Sequence, residues 1–271
     1  MISIHGLIRG DNLELGRDAD TGGQTKYVVE LARAVARQPG VERVDLVTRL
    51  VDDDEVDDDY SRPSEDLGGG ARIVRIEAGP PGYLPKEALW DHLDAFVDNT
   101  IEHFRREERD PDLLHSHYAD AGYVGSRLSH LLGVPLVHTG HSLGRIKRAR
   151  LIAAGVGARE VDERYAMRRR IRAEEQALAT AERVITSTRQ EIEQQYERYD
   201  YYHPDQMRVI APGTDLERFH PPTGGEWDSP VAADISRFLR EPRRPMVLAL
   251  SRPDARKNIP ALIDEIGRAH V

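Results

Sequence analysis

Short runs rich in Val, Ile and Leu alternate with longer amphipathic stretches along the chain. The runs Ile2–Leu7, Arg43–Thr48, Arg72–Glu77, Asp112–His115, Leu136–Thr139, Arg183–Thr186, Met207–Ala211 and Met246–Leu250 predict strands. Between them, Gln24–Gln38 places Val28, Leu31, Ala32 and Val35 on one helical face, because residues three and four apart lie one above the other. Glu87–Glu107, Ala121–Leu132, Asp162–Thr180 and Gln190–Glu197 read the same way. Such alternation predicts βαβ units and an α/β fold, a Rossmann-like parallel sheet covered on both faces. Ligands of these sheets sit beyond the C-terminal ends of the strands, so the residues that follow each strand carry the functional question.

The pattern changes after residue 220. Pro221, Pro222, Gly224, Gly225, Pro230, Pro242 and Pro245 punctuate the stretch 220–245, which reads as a linker with a short helix at Val231–Leu239. The expected plan is a first domain over 1–220, a linker over 221–245 and the start of a second domain over 246–271. One βα unit cannot bury a core alone, so the second domain is expected to be truncated. The closing Ile266-Gly267-Arg268-Ala269-His270-Val271 breaks the apolar pattern of its helix and is expected to be foreign to the natural chain. No internal repeat is found.

Composition narrows the class. The 271 residues are 39% hydrophobic and 31% charged, as in a soluble globular protein. No apolar run approaches a membrane span, and Met1–Leu7 enters strand-like sequence with no export signal, so a cytoplasmic protein is expected. Cys is absent, which removes disulfides, thiolate catalysis and thiolate metal sites. The net charge of -9 argues against nucleic acid as a partner. Part of it lies in Asp52, Asp53, Asp54, Glu55, Asp57, Asp58 and Asp59, where self-repulsion predicts a solvated loop; the run lacks the spaced ligands and turn glycine of a calcium loop.

Candidate chemistry concentrates at strand ends. Of 38 basic residues only Lys26, Lys86, Lys147 and Lys257 are lysines. Lys meets a phosphate or hydroxyl as a compact point charge. Lys26, in the first turn of a helix, reads as a surface residue; the other three lie in loop-like sequence and read as functional. A long connection, Arg9 to Gln24, ends in Gly22-Gly23 at a helix start, where bare backbone N–H groups receive anionic or hydroxyl-rich ligands. It lacks both the dinucleotide-binding spacing and the P-loop ending. His115, His117, His138 and His141 all follow strand ends. His115 and His117, two apart, are expected to point to opposite sides, so no zinc site is expected. His141, in a glycine-flanked loop, is the functional histidine; one of the others is expected to be a packed core residue.

As an ordered set, these motifs resemble one known family. Gly6 to Ala34 closely resembles the opening of sucrose-phosphate synthases, whereas sucrose synthases share Asp20–Gln24 but not the preceding Arg9–Arg17 run. The likeness continues through Tyr83-Leu84-Pro85-Lys86-Glu87, His115-Ser116-His117-Tyr118-Ala119-Asp120-Ala121-Gly122 and Thr139-Gly140-His141-Ser142-Leu143-Gly144. It resumes at Arg169-Arg170-Ile171, Ile185–Glu191, Pro212-Gly213-Thr214-Asp215 and Leu250–Asn258.

The resemblance implies a retaining glycosyltransferase of the GT-B type, with two Rossmann-like domains. The N-terminal domain would bind the acceptor, fructose 6-phosphate, and the C-terminal domain a nucleotide-glucose, UDP- or ADP-glucose, giving sucrose 6-phosphate without a cofactor or metal. Residue by residue, it implies Gly22, Gly23 and Gln24 beside the sugars and donor phosphates, with His141 at the reacting sugar. Lys86, Lys147, Arg169 and Arg170 would hold the acceptor phosphate, and Arg252 and Lys257 the donor diphosphate. Arg169 and Arg170 read nearly as well as a solvated helix face among Arg164, Arg168 and Arg172. For Arg252 and Lys257, cations at a helix start oppose the dipole, which favours function; they would stabilise charge growing on the leaving diphosphate. Two glutamates that hold the donor in the family lie beyond the chain, so the chain alone is expected to be inactive. The alternatives are a sucrose synthase-like enzyme using free fructose and a non-catalytic sugar-phosphate-binding protein; oligomeric state is not legible.

Overall fold

Residue Ile2 pairs in parallel with Val47 on one side and Ser116 on the other. Around it, four backbone hydrogen bonds join two half-sheets: Ile2 N–H to His115 C=O, Ser3 to Val47, Val47 to Met1 and His117 to Ile2, at 2.8–3.0 Å. In this computed structural model every residue is described except Arg218, Arg243, Pro245, 252–256 and 269–271. Residues Met1–Pro212 form one compact unit and Gly213–Val271 a second.

In the first unit, one half-sheet holds β1 (Val44–Arg49), β2 (Ser64–Gly68) and β3 (Ala71–Ile76) in the order β1-β3-β2. The β1–β3 pairing is parallel, and β2 adds an antiparallel edge. The other half-sheet, β4 (Leu114–His117), β5 (Leu136–Thr139), β6 (Arg183–Thr186) and β7 (Met207–Val209), is parallel throughout, in that order. Helices α1 (Gly23–Ala36), α2 (Leu93–Arg106), α3 (Tyr118–Leu132), α4 (Gly144–Ala153), α5 (Ala158–Arg164), α6 (Met167–Thr180) and α7 (Arg189–Gln194) connect the strands.

Two large apolar clusters hold this sheet. Val28, Val29 and Ala32 of α1 pack with Ile8, Leu46 and Ile73. Phe96, Val124, Leu128, Leu136, Leu178 and Val184 belong to a second cluster built by α2, α3, α6 and the central strands. Each fully buried side chain of this size contributes about 1.5–3 kcal/mol.

The departures from the sequence expectation have local causes. The expected strand Ile2–Leu7 pairs only at Ile2. Gly6 takes φ +79°, and a Cβ there would lie 2.9 Å from the Asp20 carbonyl oxygen; the chain turns where the returning loop crosses it. Strand β2 was hidden because only Leu67 of its residues is buried. The expected helix 87–107 starts with a 3₁₀ turn at Leu89–His92 before α2. The expected helix 162–180 is split into α5 and α6 at Ala166, which adopts φ 46°. The acidic run is partly tied down: Asp57 and Asp59 pair with Arg9 at 3.2 and 3.5 Å, and Asp53 accepts the Tyr83 amide at 2.8 Å.

The second unit contains α8 (Pro230–Ser236) and α9 (Ile259–Arg268). Ser229 caps α8, its hydroxyl accepting the Ala232 amide at 3.2 Å, and Pro230 begins the helix with no N–H to satisfy. The expected strand Met246–Leu250 is irregular here, and Leu250 is 93% exposed. A ladder needs a neighbour, and no described segment pairs with this run.

Candidate functional site

The order of strands reverses at the Ile2 segment, with β1 leading outward one way and β4 the other. Such a switch point opens a crevice beyond the C-terminal strand ends. The structure has a cleft of about 200 Å³ at this end. Gly23, Gln24 and Tyr27 of α1 line it, with Thr139 and His141 after β5, Ile185–Ser187 at the end of β6, and Ile210 and Pro212 after β7. A larger cavity of about 450 Å³ lies among Val41–Val47 and Pro111–His115. It adjoins the opposite, N-terminal ends of β1 and β4, so the smaller cleft is the candidate site.

The end of the long loop is held together by Asp18, which accepts the Asp20 and Thr21 amides at 2.6 and 2.7 Å and the Thr21 hydroxyl at 2.8 Å. Burial alone would raise the Asp18 pKa, but these hydrogen bonds hold it below its ordinary value. Thr21 in turn accepts the Leu7 amide at 3.0 Å, fixing where α1 begins. No side chain caps α1 at Gly22. A Cβ at Gly22 or Gly23 would meet nothing within 4 Å, so the first-turn N–H groups are reachable. The Gln24 amide lies 3.3 Å from the Ser3 hydroxyl and 3.5 Å from the His117 carbonyl.

The histidines converge, contrary to the expectation that His115 and His117 diverge. Residues two apart on a strand share a face, and these rings lie 4.2 Å apart. His117 Nδ1 is 3.0 Å from His141 Nε2. His115 Nε2 lies 2.9 Å from the Thr139 hydroxyl, and His138 Nδ1 lies 2.9 Å from that of Ser116. His117 and His138 are packed core residues. Burial, with like-charge neighbours, lowers the pKa of His115 and His138 to about 3 and that of His117 well below 6.5. His141 is exposed yet crowded by Tyr27, 5.2 Å away ring to ring. Loss of hydration and the charge of His5 lower it to about 4, the mildest of these depressions. Among the described residues, no group of three His, Asp or Glu is arranged to hold a metal ion.

His141 sits at φ 57°, inside a tight turn closed by the Ser142 amide on the Gly140 carbonyl at 2.6 Å. Such backbone costs about 1–3 kcal/mol and persists only when its surroundings fix it. Here they do. The Gly140 amide donates to the Tyr196 hydroxyl at 3.2 Å. Arg170 donates to the Ser142 carbonyl at 2.7 Å and to its hydroxyl at 3.1 Å. Glu174 accepts from Gly144 N–H, from Arg170 at 3.0 Å and from the Tyr199 hydroxyl at 2.5 Å. Burial raises the Glu174 pKa, with Arg170 and Tyr199 opposing.

The remaining expected residues lie outside the lining of the cleft. Lys86 binds Asp20 through its ammonium and its amide, and Glu87 is 3.4 Å away; burial opposes its charge, but Asp20 holds its pKa above the ordinary value. Lys147 stacks 4.0 Å from the centre of the Tyr165 ring. Arg169 is exposed and pairs with Asp91, which ties α6 to the segment that follows Lys86. Arg170, expected either at the acceptor phosphate or on a solvated helix face, is only 3% exposed and bonds Glu174 and Ser142. In this structure it supports the His141 loop. Lys26 pairs with Glu30 at 3.5 Å on the surface. Lys257 is exposed just before α9, and Arg252 lies outside the described residues.

The sequence reading missed Tyr27, Tyr196, Glu174 and Tyr199. Tyr27 follows Gly23 by one helical turn and shares its face. Met167, Arg170, Glu174 and Ala177 recur three or four apart, a spacing that marks Arg170 and Glu174 as a buried pair. Tyr196 and Tyr199 gave no signal, because their contacts with the loop span 54 and more residues.

Fold and cleft define an α/β domain of the Rossmann-like GT-B N-terminal kind. Residues 21–218 match the family described as Glycosyltransferase Family 4, and the chain belongs to that family. It is 42% identical to probable sucrose-phosphate synthase 2 of Arabidopsis thaliana over 98% of this chain and 31% of the relative. It is also 42% identical to the sucrose-phosphate synthase of Zea mays, with the same coverage. Among solved structures it is similar to the sucrose-phosphate synthase of Thermosynechococcus elongatus, with a TM-score of 0.71, 28% identity and coverage of 98% of this chain and 59% of that one. The chain thus spans 31% of the length of these two curated relatives. No described helix is long and apolar enough to cross a membrane.

Proposed function

We propose that this chain supplies the acceptor side of a retaining glucosyltransferase that joins glucose, from UDP- or ADP-glucose, to fructose 6-phosphate to give sucrose 6-phosphate. In this reading residues 1–220 are the acceptor domain, 221–245 a linker and 246–271 the start of the nucleotide-sugar domain. The observation that carries it is the shared lining of one cleft by Gly23, Gln24 and His141 at the C-terminal strand ends. The open N-terminus of α1 offers N–H groups to phosphate or sugar oxygens. His141 donates a hydrogen bond to the transferred glucose, while the leaving diphosphate takes the acceptor proton. Lys86, aided by Lys147 and Arg169, meets the acceptor phosphate as a cation; Arg170, already engaged with Glu174, acts by holding the loop. Arg252 and Lys257 neutralise the leaving diphosphate. The names of the relatives, sucrose-phosphate synthases, agree with this assignment.

Because the chain spans less than a third of those relatives, transfer is assigned to the longer protein and the chain alone is expected to turn over no donor. The test supplies radiolabelled UDP- or ADP-glucose with either fructose 6-phosphate or fructose to a protein in which this chain is joined to a full nucleotide-sugar domain. Labelled sucrose 6-phosphate is the expected product. Label appearing only in free sucrose from unphosphorylated fructose would replace this reading with a sucrose synthase-like one. No transfer to either acceptor would favour a binding protein.

A further inference from the structure

His117 is fully buried, with no measurable exposure, and its two ring nitrogens have different fates. Nδ1 lies 3.0 Å from His141 Nε2. Nε2 is buried and has no hydrogen-bonding partner among the described residues. Two neutral arrangements satisfy the Nδ1–Nε2 contact. In one, His141 donates, and His117 must carry its proton on Nε2, burying an unpaired N–H. In the other, His117 donates from Nδ1, and only a lone pair is left unpaired at its Nε2. Orphaned buried N–H groups are rarer than under-satisfied acceptors, and an unmade donor bond in a dry site carries the full desolvation penalty.

We infer that His117 is a positioning residue that locks His141 in the Nδ1–H form. His117 Nδ1–H donates to His141 Nε2, so the lone pair of His141 is occupied. The hydrogen-bonding group left to His141 is its Nδ1–H, which no described residue takes. Burial of His117, and for His141 the loss of hydration against its neighbours with the charge of His5, keep both rings neutral near pH 7, as the arrangement requires. The consequence for chemistry is directional. His141 donates to an acceptor oxygen, a sugar hydroxyl or a phosphate, and does not serve as a proton base. That use rests on the proposed transfer reaction; the tautomer stands on the geometry alone.

The test needs no substrate. Long-range proton–nitrogen NMR of the uniformly ¹⁵N-labelled chain reads each imidazole, with His141 and His117 assigned by loss of their signals in His141→Gln and His117→Asn. The expected spectrum shows a pyrrole-type Nδ1 and a pyridine-type Nε2 for both residues, the form a free imidazole disfavours. A protonated Nε2 on either ring, or averaged shifts at His141, would overturn the inference. His117→Asn retains a side-chain N–H near the place of Nδ1, and the His141 pattern is expected to persist. His117→Leu removes that donor and is expected to shift His141 toward the Nε2–H form. Thermal melting of each variant identifies any that has lost its fold, in which case the wild-type spectrum decides. A correct tautomer in an enzyme that transfers no glucose would sink the proposed function and leave this inference standing.

Discussion

The two oxygens of the buried Glu174 carboxylate lie 2.9 and 3.0 Å from the Gly144 amide, anchoring the end of the loop that carries His141. Arg170 completes the arrangement by bonding both Glu174 and Ser142. Removing one member of a buried ion pair strands the other charge and costs about 3–5 kcal/mol. Glu174→Ala is therefore expected to lower unfolding stability by about that much, read from urea denaturation at constant m-value. A loss below about 1 kcal/mol would show that the pair does not hold the loop.

At the other end of the loop, a Cβ on Gly140 would sit 2.5 Å from the Tyr196 hydroxyl. Gly140→Ala is expected to cost about 1–3 kcal/mol through overpacking. In a Tyr196→Phe background the same change should cost less, because the clashing oxygen is gone. A double-mutant cycle by denaturant unfolding measures the difference; strict additivity would refute the contact.

Much of this scaffold was legible in the sequence. Strands β5 and β6 match their expected bounds, α1 begins at the expected glycine pair Gly22-Gly23, and the His141 loop follows a strand end as expected. Their signals are local, a period of apolar residues or a turn glycine. What was not legible depends on distant partners. The Ile2 segment is strand-like in composition, but it pairs only at Ile2, and the chain turns away at Gly6, against Asp20. Arg170 reads as a phosphate ligand or as one of a row of exposed arginines, and its place under the loop, beside Tyr118 at 4.6 Å, depends on how α6 packs.

The histidine cluster sets a pH dependence. Folding holds His115 and His138 at about 3 and His117 well below 6.5, whereas the unfolded chain takes up these protons near 6.5. Between about 6.5 and about 3 the unfolded state binds more protons, so stability falls as pH drops, by up to about 1.4 kcal/mol per pH unit for each histidine. Above 6.5 these groups leave stability flat. Denaturant midpoints are expected to hold steady from about pH 8 to 7 and fall steeply by pH 5. A flat profile through pH 5 would contradict the burial of neutral rings.

His141 itself is expected to matter for rate more than for stability. In the protein extended by its nucleotide-sugar domain, His141→Ala should reduce turnover about 10²–10³-fold, the usual worth of one preorganised donor, with little change in fructose 6-phosphate affinity. Calorimetric melting run beside the kinetics separates the roles. Normal rate with normal melting would remove His141 from the site, and a large loss of melting temperature would make it a structural prop of its turn.

Acceptor recognition is the central claim, and titration calorimetry on the 271-residue chain tests it most directly. A charge-assisted contact to phosphate contributes about 1.5–3 kcal/mol, so fructose 6-phosphate is expected to bind about 10- to 100-fold tighter than fructose. Lys86→Ala and Lys147→Ala should erode that preference while circular dichroism and melting show a folded domain. Equal affinity for the two sugars, in a chain shown to be folded, would contradict the account.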